Sequence, residues 1–421
     1  MANMKDCCCG VDVHKSFIIA VIATLVGREV RFTKYMRFST FTHGLREFKE
    51  WLRDHNCFKV CLESTGKYYI PVYRIVSDEV FRVDVVHPKY VKSPSGKKND
   101  KRDAKRIADM YMRDHIAEYS IIPPADILAI RDVTRYRRKT VNEITAEKNR
   151  MSNCLTVSCI KLDEVLSDTH GKTGQALIEQ IIKNGGCDFD PKPHIDARVK
   201  APLEQFKLAL DGDVTPATLV KMDMIQQRLA FLGKQKAELE STMESLSKDY
   251  SRQLEILDSA PGVDSLSAIS ILSEIGADMK VFGSVKRFLS WVGVVPQNNE
   301  SAGKKKSTRI GKGNTWLKPV IVQCANAAVK DKKHPEIREK YLSIKKRRGH
   351  GKALIAVAKR LMTSIFYMLL RNEQYNPAIG KDTAPKRGKI ALEKLIEHYN
   401  LKGYTVVSRN GDEFLPTNKA S

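Results

Sequence analysis

The sequence contains no uninterrupted apolar stretch approaching the roughly 20 residues needed to span a bilayer, which argues against a membrane-embedded chain. Its first ten residues, MANMKDCCCG, lack the basic-then-apolar layout of a secretory leader. A cytoplasmic location is therefore expected. Acids are in short supply: 49 Asp and Glu face 72 Lys and Arg, leaving a net charge of +23. Such an excess is most simply balanced by a polyanion, so nucleic acid is the leading partner, with a merely basic and soluble surface as the alternative. Paired cysteine spacing is missing too. The nine cysteines, Cys7, Cys8, Cys9, Cys57, Cys61, Cys154, Cys159, Cys187 and Cys324, form neither a disulfide framework nor a zinc ribbon and read as reduced, mostly buried thiols. Cys57 and Cys61 could hold a metal only if other ligands converged on them. No internal repeat is present.

What is there is enough chain, 421 residues with 42% hydrophobic content, for two folded domains plus connecting helices. Over the first 115 residues strands and helices alternate. Two β-rich runs, Cys9 to Ala23 and Glu29 to Ser39, are joined near Gly27 as a hairpin, with a further strand possible around Phe38. The spacing of Leu45, Phe48, Trp51 and Leu52 predicts a helix. The run Lys59-Val-Cys-Leu-Glu63 suits a buried strand, Tyr69 to Glu79 a helix and Phe81 to Val86 another strand. After a basic loop, a helix should start at Asn99 or Asp100.

From about Arg131 the pattern changes to long polar helices, one reaching about Ser158 and another running from about Ala217 to Leu257. Apolar residues at Ile225, Leu229, Leu232, Leu239 and Met243 suggest an antiparallel coiled-coil arm. Residues 161–205 between them hold Gly171, Gly174, Gly185, Gly186, Pro191 and Pro193 and read as irregular structure or an insertion. The segment Ala260-Pro-Gly-Val-Asp264 reads as a turn between two short helices, either an ordinary helix turn or one that presents amides to phosphate. A Gly/Lys/Ser loop from Gln297 to Asn314 follows, then an apolar helix from Trp316 to Val329. The basic run Lys345-Lys-Arg-Arg348 precedes a helix ending near Asn372, and Asn410-Gly411 in the tail signals a type I′ hairpin.

Within the first region four acids stand out. Asp12 lies inside a run otherwise suited to burial, where an ionised carboxylate is costly unless a cation or donors compensate it. Glu63 ends another apolar strand. Asp100 and Asp103 are three apart, so on a helix they share one side. With this strand order the first strand is central, the Glu63 strand is its neighbour, and the last helix packs across them, so the four carboxylates can converge. Chemistry at a phosphodiester needs such a cluster, because two Mg²⁺ ions held by hard oxygen ligands stabilise charge on the entering and leaving oxygens. Mn²⁺ is the alternative ion, and no histidine or cysteine set nearby is expected to compete. Taken singly, Asp100 can be a helix cap, Asp103 a first-turn acid favoured by the helix dipole and Glu63 a loop cap. Lys15 can contact phosphate or simply end a strand in solvent.

These motifs carry a family resemblance. Gly10-Val-Asp-Val-His-Lys15, Leu62-Glu-Ser-Thr-Gly66 and Asn99-Asp-Lys-Arg-Asp-Ala104, with Pro261-Gly262 and the loop Gly293 to Asn314, resemble the DEDD-type transposases of the one-ten family of insertion sequences. The resemblance implies an α/β fold with a RuvC-like, RNase H-fold catalytic domain at residues 1–125. A coiled-coil arm at 126–257 with an insertion at 161–205, a helical transposase domain at 258–375 and an extension at 376–421 would follow. It assigns Asp12, Glu63, Asp100 and Asp103 to the metal and catalytic centre and implies a catalytic serine. That serine maps to Ser301 in Asn298-Asn-Glu-Ser-Ala-Gly303, although Ala302 intervenes where many relatives have glycine, which keeps Ser307 as the alternative.

Ser301 sits among Lys304, Lys305, Lys306, Arg309 and Lys312, a loop suited to lie along a nucleic-acid backbone. No histidine adjoins it in sequence, so its activation would have to come from the carboxylate centre. The resemblance further implies double-stranded DNA as substrate, a homo-oligomer of two or four chains, and a noncoding bridge RNA whose base pairing selects the sites. Lys345, Lys346, Arg347 and Arg348 would add nucleic-acid surface. The reading is a recombinase working through a phosphoserine link. Its alternatives are a junction-resolvase-like nuclease that uses activated water, and a non-catalytic nucleic-acid-binding protein.

Overall fold

The structure, a computed structural model, describes residues 6–27, 29–64, 66–91, 100–117, 119–296, 299–301, 304–307 and 309–379, with backbone alone for 299–301 and 304–307. The Asn410-Gly411 turn signal therefore lies outside the described residues. The chain divides into two compact units, Met1–Ile122 and Pro123–Ser421.

In the first unit the elements run β1 (Cys7–Val13), β2 (Phe17–Val26), β3 (Glu29–Phe32), β4 (Met36–Ser39), α1 (Thr42–Asp54), β5 (Lys59–Glu63), α2 (Tyr69–Val76), β6 (Arg82–Val86), α3 (Pro88–Val91) and α4 (Asp100–Met112). The first β-rich run is thus two strands, not one. The polar triplet His14-Lys15-Ser16 reverses the chain, closed by His14 N–H donating to the Phe17 carbonyl at 3.0 Å. The apolar residues on both sides hide that reversal from a periodicity reading, because they suit one long buried strand equally well.

The sheet order is β3-β2-β1-β5-β6, with β4 also pairing β2. β1 is antiparallel to β2 and parallel to β5, and β5 is parallel to β6. Side-chain alternation sends the two faces of β1 and β5 to different cores. Cys9, Val11, Val60 and Leu62 join the core containing Leu45 and Phe48 of α1 and Val72 of α2. Cys8 and Cys61 join Ile107, Ala108 and Tyr111 of α4 on the other face. Cys57 belongs to the first of these cores and Cys61 to the second, so they are packed thiols on opposite faces and share no metal.

The second unit begins with α5 (Ala125–Val157), followed by α6 (Leu162–Val165), α7 (Lys172–Asn184), α8 (Leu203–Ala209) and α9 (Pro216–Leu246). Residues 161–205 are irregular only in part: α6, α7 and the start of α8 are helical, while 185–202 hold a single 3-10 turn, Lys192–His194. Leu162, Leu177, Ile181 and Phe206 build a small core with Met151 and Leu155 of α5 and Met222 and Ile225 of α9. Between α5 and α9 only part of the seam is apolar. Ile225, Leu232 and Met243 are buried, whereas Leu229 and Leu239 are half-buried. Ion pairs supply the rest: Arg137 of α5 bonds Glu240 of α9 at 2.5 Å, and buried Glu147 of α5 bonds Arg228 of α9 at 3.0 Å. The helix expected to continue to Leu257 instead ends after Leu246, at Ser247, whose hydroxyl donates to the Met243 carbonyl at 2.8 Å.

The chain then forms α10 (Ser251–Asp258), α11 (Ser265–Ile275), α12 (Val285–Val292), β7 (Asn299–Ser301), β8 (Lys304–Ser307), α13 (Leu317–Lys330), α14 (Pro335–Arg348) and α15 (His350–Arg371). α15 is apolar and long enough to cross a membrane by length and composition alone. Its residues Leu354, Val357, Leu361, Ile365 and Met368 are buried, and the helix packs on α13 and α14 as a core helix of this unit. The Ala260-Pro-Gly-Val-Asp264 segment joins α10 to α11, with Ala260 and Val263 buried and Asp264 capping α11 through the amide of Ser267 at 2.8 Å.

Candidate active site

Asp12 occupies the penultimate position of β1 and Glu63 the last of β5. The ladder between these strands ends at Val11↔Leu62, so each acid stands one residue beyond it, at the carboxyl ends of neighbouring parallel strands. Open α/β sheets commonly place their ligand sites there. Cys8 and Cys61 face α4, so Asp12 and Glu63 follow by alternation on the same face. Gly10 sets how close α4 can come. A Cβ there would lie 2.2 Å from the Ala108 nitrogen and 2.5 Å from the Ala104 carbonyl oxygen, and only glycine permits the helix backbone to rest on the strand. That contact brings Asp100, in the first turn of α4, over the end of β1.

The acids do not all meet. The Asp12 carboxylate, 7% exposed, lies 3.2 Å from His14 Nε2, and an Asp100 oxygen lies 3.5 Å from the same nitrogen. One ligand atom from each of these three residues falls within 4.8 Å of the others. Asp103 is one turn on and its Oδ1 accepts from Arg106 at 2.5 Å. Glu63 is half-buried at its strand end and lies outside that cluster. Asp84, also near α4, accepts from Tyr111 at 2.6 Å and Arg82 at 3.0 Å, which satisfies it without an ion.

Burial pushes the Asp12 carboxyl above its ordinary range, opposed by the nearby His14 and reinforced by the negative charges of Asp100 and Asp103. The donors present, two carboxylates and one imidazole, fit a divalent cation. His14 is the residue that sequence reasoning missed: no histidine was expected to compete, and its place two residues after Asp12 was the available signal. Lys15 beside it is exposed.

In the second unit the expected Gly/Lys/Ser loop is a two-stranded hairpin. Ser301 ends β7 opposite Lys304, Glu300 faces Lys305 and Asn299 faces Ser307 across an irregularity in register. Lys304, Lys305 and Lys306 lie on β8, with their side chains outside the described residues. The hairpin rises from a narrow neck. Pro296 bridges Ile310, and Asn314 N–H donates to the Trp291 carbonyl at 3.0 Å. Gly293 and Gly313, both at positive φ, approach so closely that a Cβ on Gly313 would lie 2.3 Å from the Val292 carbonyl oxygen. Arg309 and Lys312 at the neck are exposed. Lys345, Lys346, Arg347 and Arg348 are exposed in the last turn of α14, where the helix dipole favours cations.

Sequence reading also missed the residues that hold the neck. Glu274, near the end of α11 and 4% exposed, accepts a two-pronged bond from Arg135 of α5 at 2.7 and 2.8 Å and a third from Asn314 at 2.8 Å. Asn314 Oδ1 accepts from the amides of Trp316 and Leu317, starting α13, while Arg135 lies over the Trp316 ring at 5.2 Å.

With this geometry in view, the comparisons with known proteins bear on both units. A family described as transposase, of the DEDD type named for IS110, matches residues 9–160. The IS116/IS110/IS902 transposase family matches residues 254–342. A probable family 20 transposase of Pseudomonas aeruginosa is 22% identical over 300 residues, which cover 70% of this chain and 79% of that protein. The transposase for insertion sequence element IS1111A of Coxiella burnetii is 31% identical over 121 residues, 28% of this chain and 33% of that protein. An acid-bearing α/β unit and a helical unit with a basic hairpin, both matched in this way, define a DNA transposase. Within that class the chain belongs to the IS110 family of insertion-sequence transposases.

Proposed function

We propose that this transposase breaks and rejoins DNA through a covalent phosphoserine link. Ser301 supplies the nucleophilic hydroxyl, and divalent ions, Mg²⁺ in the first instance, are held by Asp12, Glu63, Asp100 and Asp103. The observation that carries the reading is the buried Asp12 carboxylate with Asp100 and His14 gathered around it at the strand ends, two acids that share one imidazole and that a cation would compensate together. When bound, such ions offset charge on the entering and leaving oxygens of a phosphodiester. The sheet, antiparallel on one side of β1 and parallel on the other, supports reading the first unit as RuvC-like, of the RNase H fold.

Ser301 forms the new phosphorus–oxygen bond as a strand oxygen leaves with a proton, and the phosphoserine ester keeps the bond energy for rejoining. The backbone position of Ser301 beside Lys304 at the head of a narrow-necked basic hairpin supports this role. Exposed Lys15, Arg309, Lys312 and Lys345 to Arg348 offer contacts to nucleic-acid backbone. A bridge RNA that supplies the choice of sites, a cytoplasmic setting and an oligomer of two or four chains complete the reading.

The test incubates the full chain with element-end DNA, the element's noncoding RNA and Mg²⁺, and seeks a denaturation-resistant protein–DNA adduct. The expected result is an adduct in wild type, none in Ser301→Ala, and neither adduct nor cleavage in Asp12→Ala. An adduct that survives Ser301→Ala and disappears in Ser307→Ala would transfer the role to Ser307. Cleavage without an adduct would point to hydrolysis by activated water.

A further inference from the structure

We propose that His14 is itself a ligand of the divalent ion at the Asp12 centre. The inference rests on the reading of the acids as a metal site. It departs from an all-carboxylate centre in one donor.

The imidazole is held in place from behind. His14 starts the reversal between β1 and β2, and its ring lies on that of Phe17, with centroids 4.5 Å apart. The Arg37 guanidinium of β4 lies over the same Phe17 ring at 4.0 Å. This packing sends Nε2 toward the carboxylates. A single Nε2 is then 3.2 Å from Asp12 and 3.5 Å from Asp100. One N–H points well at only one acceptor, whereas a cation between the three donors satisfies all of them. The spacing suits that arrangement, since adjacent ligands of an octahedral ion with bonds of about 2.1 Å stand roughly 3 Å apart. The His14 side chain is about one third exposed, which leaves an ion a path from solvent.

Mn²⁺ shares the oxygen preference of Mg²⁺, so the carboxylates would hold either ion, and its unpaired electrons report on any nitrogen bound to it. Among the described residues no other histidine or cysteine joins the cluster, so a nitrogen signal from an ion bound there identifies His14.

The test uses the full chain and Mn²⁺ as the probe, read by pulsed electron paramagnetic resonance. Wild type is expected to show nitrogen modulation on bound Mn²⁺ that changes when histidine alone is labelled with ¹⁵N. The signal should vanish in His14→Ala and in His14→Gln, the second of which keeps a polar side chain of similar reach. By calorimetry, either variant should weaken Mn²⁺ binding by about tenfold. Mn²⁺ bound without histidine coupling would overturn the assignment of His14 and leave the carboxylate reading standing. No Mn²⁺ binding, or binding indifferent to Asp12→Ala, would overturn that reading and this inference together.

Discussion

Arg135 and Glu274, 139 residues apart in sequence, form a two-pronged ion pair in which Nε and Nη2 each donate to a separate carboxylate oxygen, at 2.7 and 2.8 Å. Glu274 sits in the last turn of α11, where the helix dipole disfavours an acid. Arg131 relieves the same helix end by donating to the carbonyls of Ser273 and Glu274 at 2.7 and 2.8 Å. Because Asn314 shares the Glu274 carboxylate, the pair also fixes the exit of the serine-bearing hairpin.

Removing the Glu274 charge leaves Arg135, one third exposed, short of its partner, which costs about 1–3 kcal/mol. Glu274→Gln should lower the unfolding free energy of the second unit by that order, read as an earlier denaturant midpoint, and Glu274→Gln with Arg135→Met should recover part of the loss. Equal stability of Glu274→Gln and wild type in chemical denaturation would show that the pair contributes nothing.

Gly10→Ala forces a methyl group into the α4 backbone, a form of overpacking that costs about 1–3 kcal/mol. It should also lift Asp100 away from Asp12. The expected outcome is a lower thermal midpoint together with weaker Mn²⁺ binding by calorimetry; retention of both would mean that α4 does not depend on this contact.

Asp12→Asn removes a buried charge while keeping shape. An acid whose pKa is raised on folding favours the folded state at low pH and loses that contribution as pH rises past its unfolded value, so ionised Asp12 opposes folding at neutral pH. Without metal and at neutral pH, the variant should melt at a higher temperature than wild type. Added Mn²⁺ should raise the melting temperature of wild type and leave that of Asp12→Asn unchanged. Equal shifts in both by scanning calorimetry would remove Asp12 from the metal site.

Lys49 of α1 clasps the end of α2, donating to the Ile75 carbonyl at 3.0 Å and pairing with Asp78 at 2.6 Å. The bond from Lys49, helped by the amides of Phe81 and Val80, holds the Asp78 carboxyl down at about 2. A depressed acid contributes stability above its unfolded pKa of about 4, and that contribution is lost as pH falls toward 2. The stability of Asp78→Asn should therefore fall less steeply than that of wild type between about pH 4 and 2, followed by circular dichroism. Parallel curves would show the clasp to be energetically silent.

Much of the first unit was legible in the residues. The strand and helix spans of Lys59 to Glu63, Phe81 to Val86 and the Leu45 helix follow local periodicity, which packing obeyed. The reversal at His14-Lys15-Ser16 was not, because it carries no Gly, Pro or Asn and both its flanks are apolar. Residues 161–205 were legible in part: the chain is irregular around Gly185, Gly186, Pro191 and Pro193, but the helices on either side share one core with α5 and α9, which glycine and proline content does not reveal. At Ser301 the lysines and glycines signalled a loop, yet the close approach of Gly293 to Gly313 gathers the strands into a hairpin.

For the site itself, composition and spacing sufficed to single out Asp12, since a carboxylate in an apolar strand is conspicuous on chemical grounds alone, and to place Asp100 on a helix beginning beside it. Which acid stands with which was a matter of tertiary structure. The contact of Gly10 with α4, the turn that returns His14 over β1 and the pairing of Asp103 with Arg106 depend on backbones that approach from distant parts of the chain. Local residue type specifies what a side chain can bind, but the few ångströms that decide whether three donors can share one ion come only from how strand and helix pack.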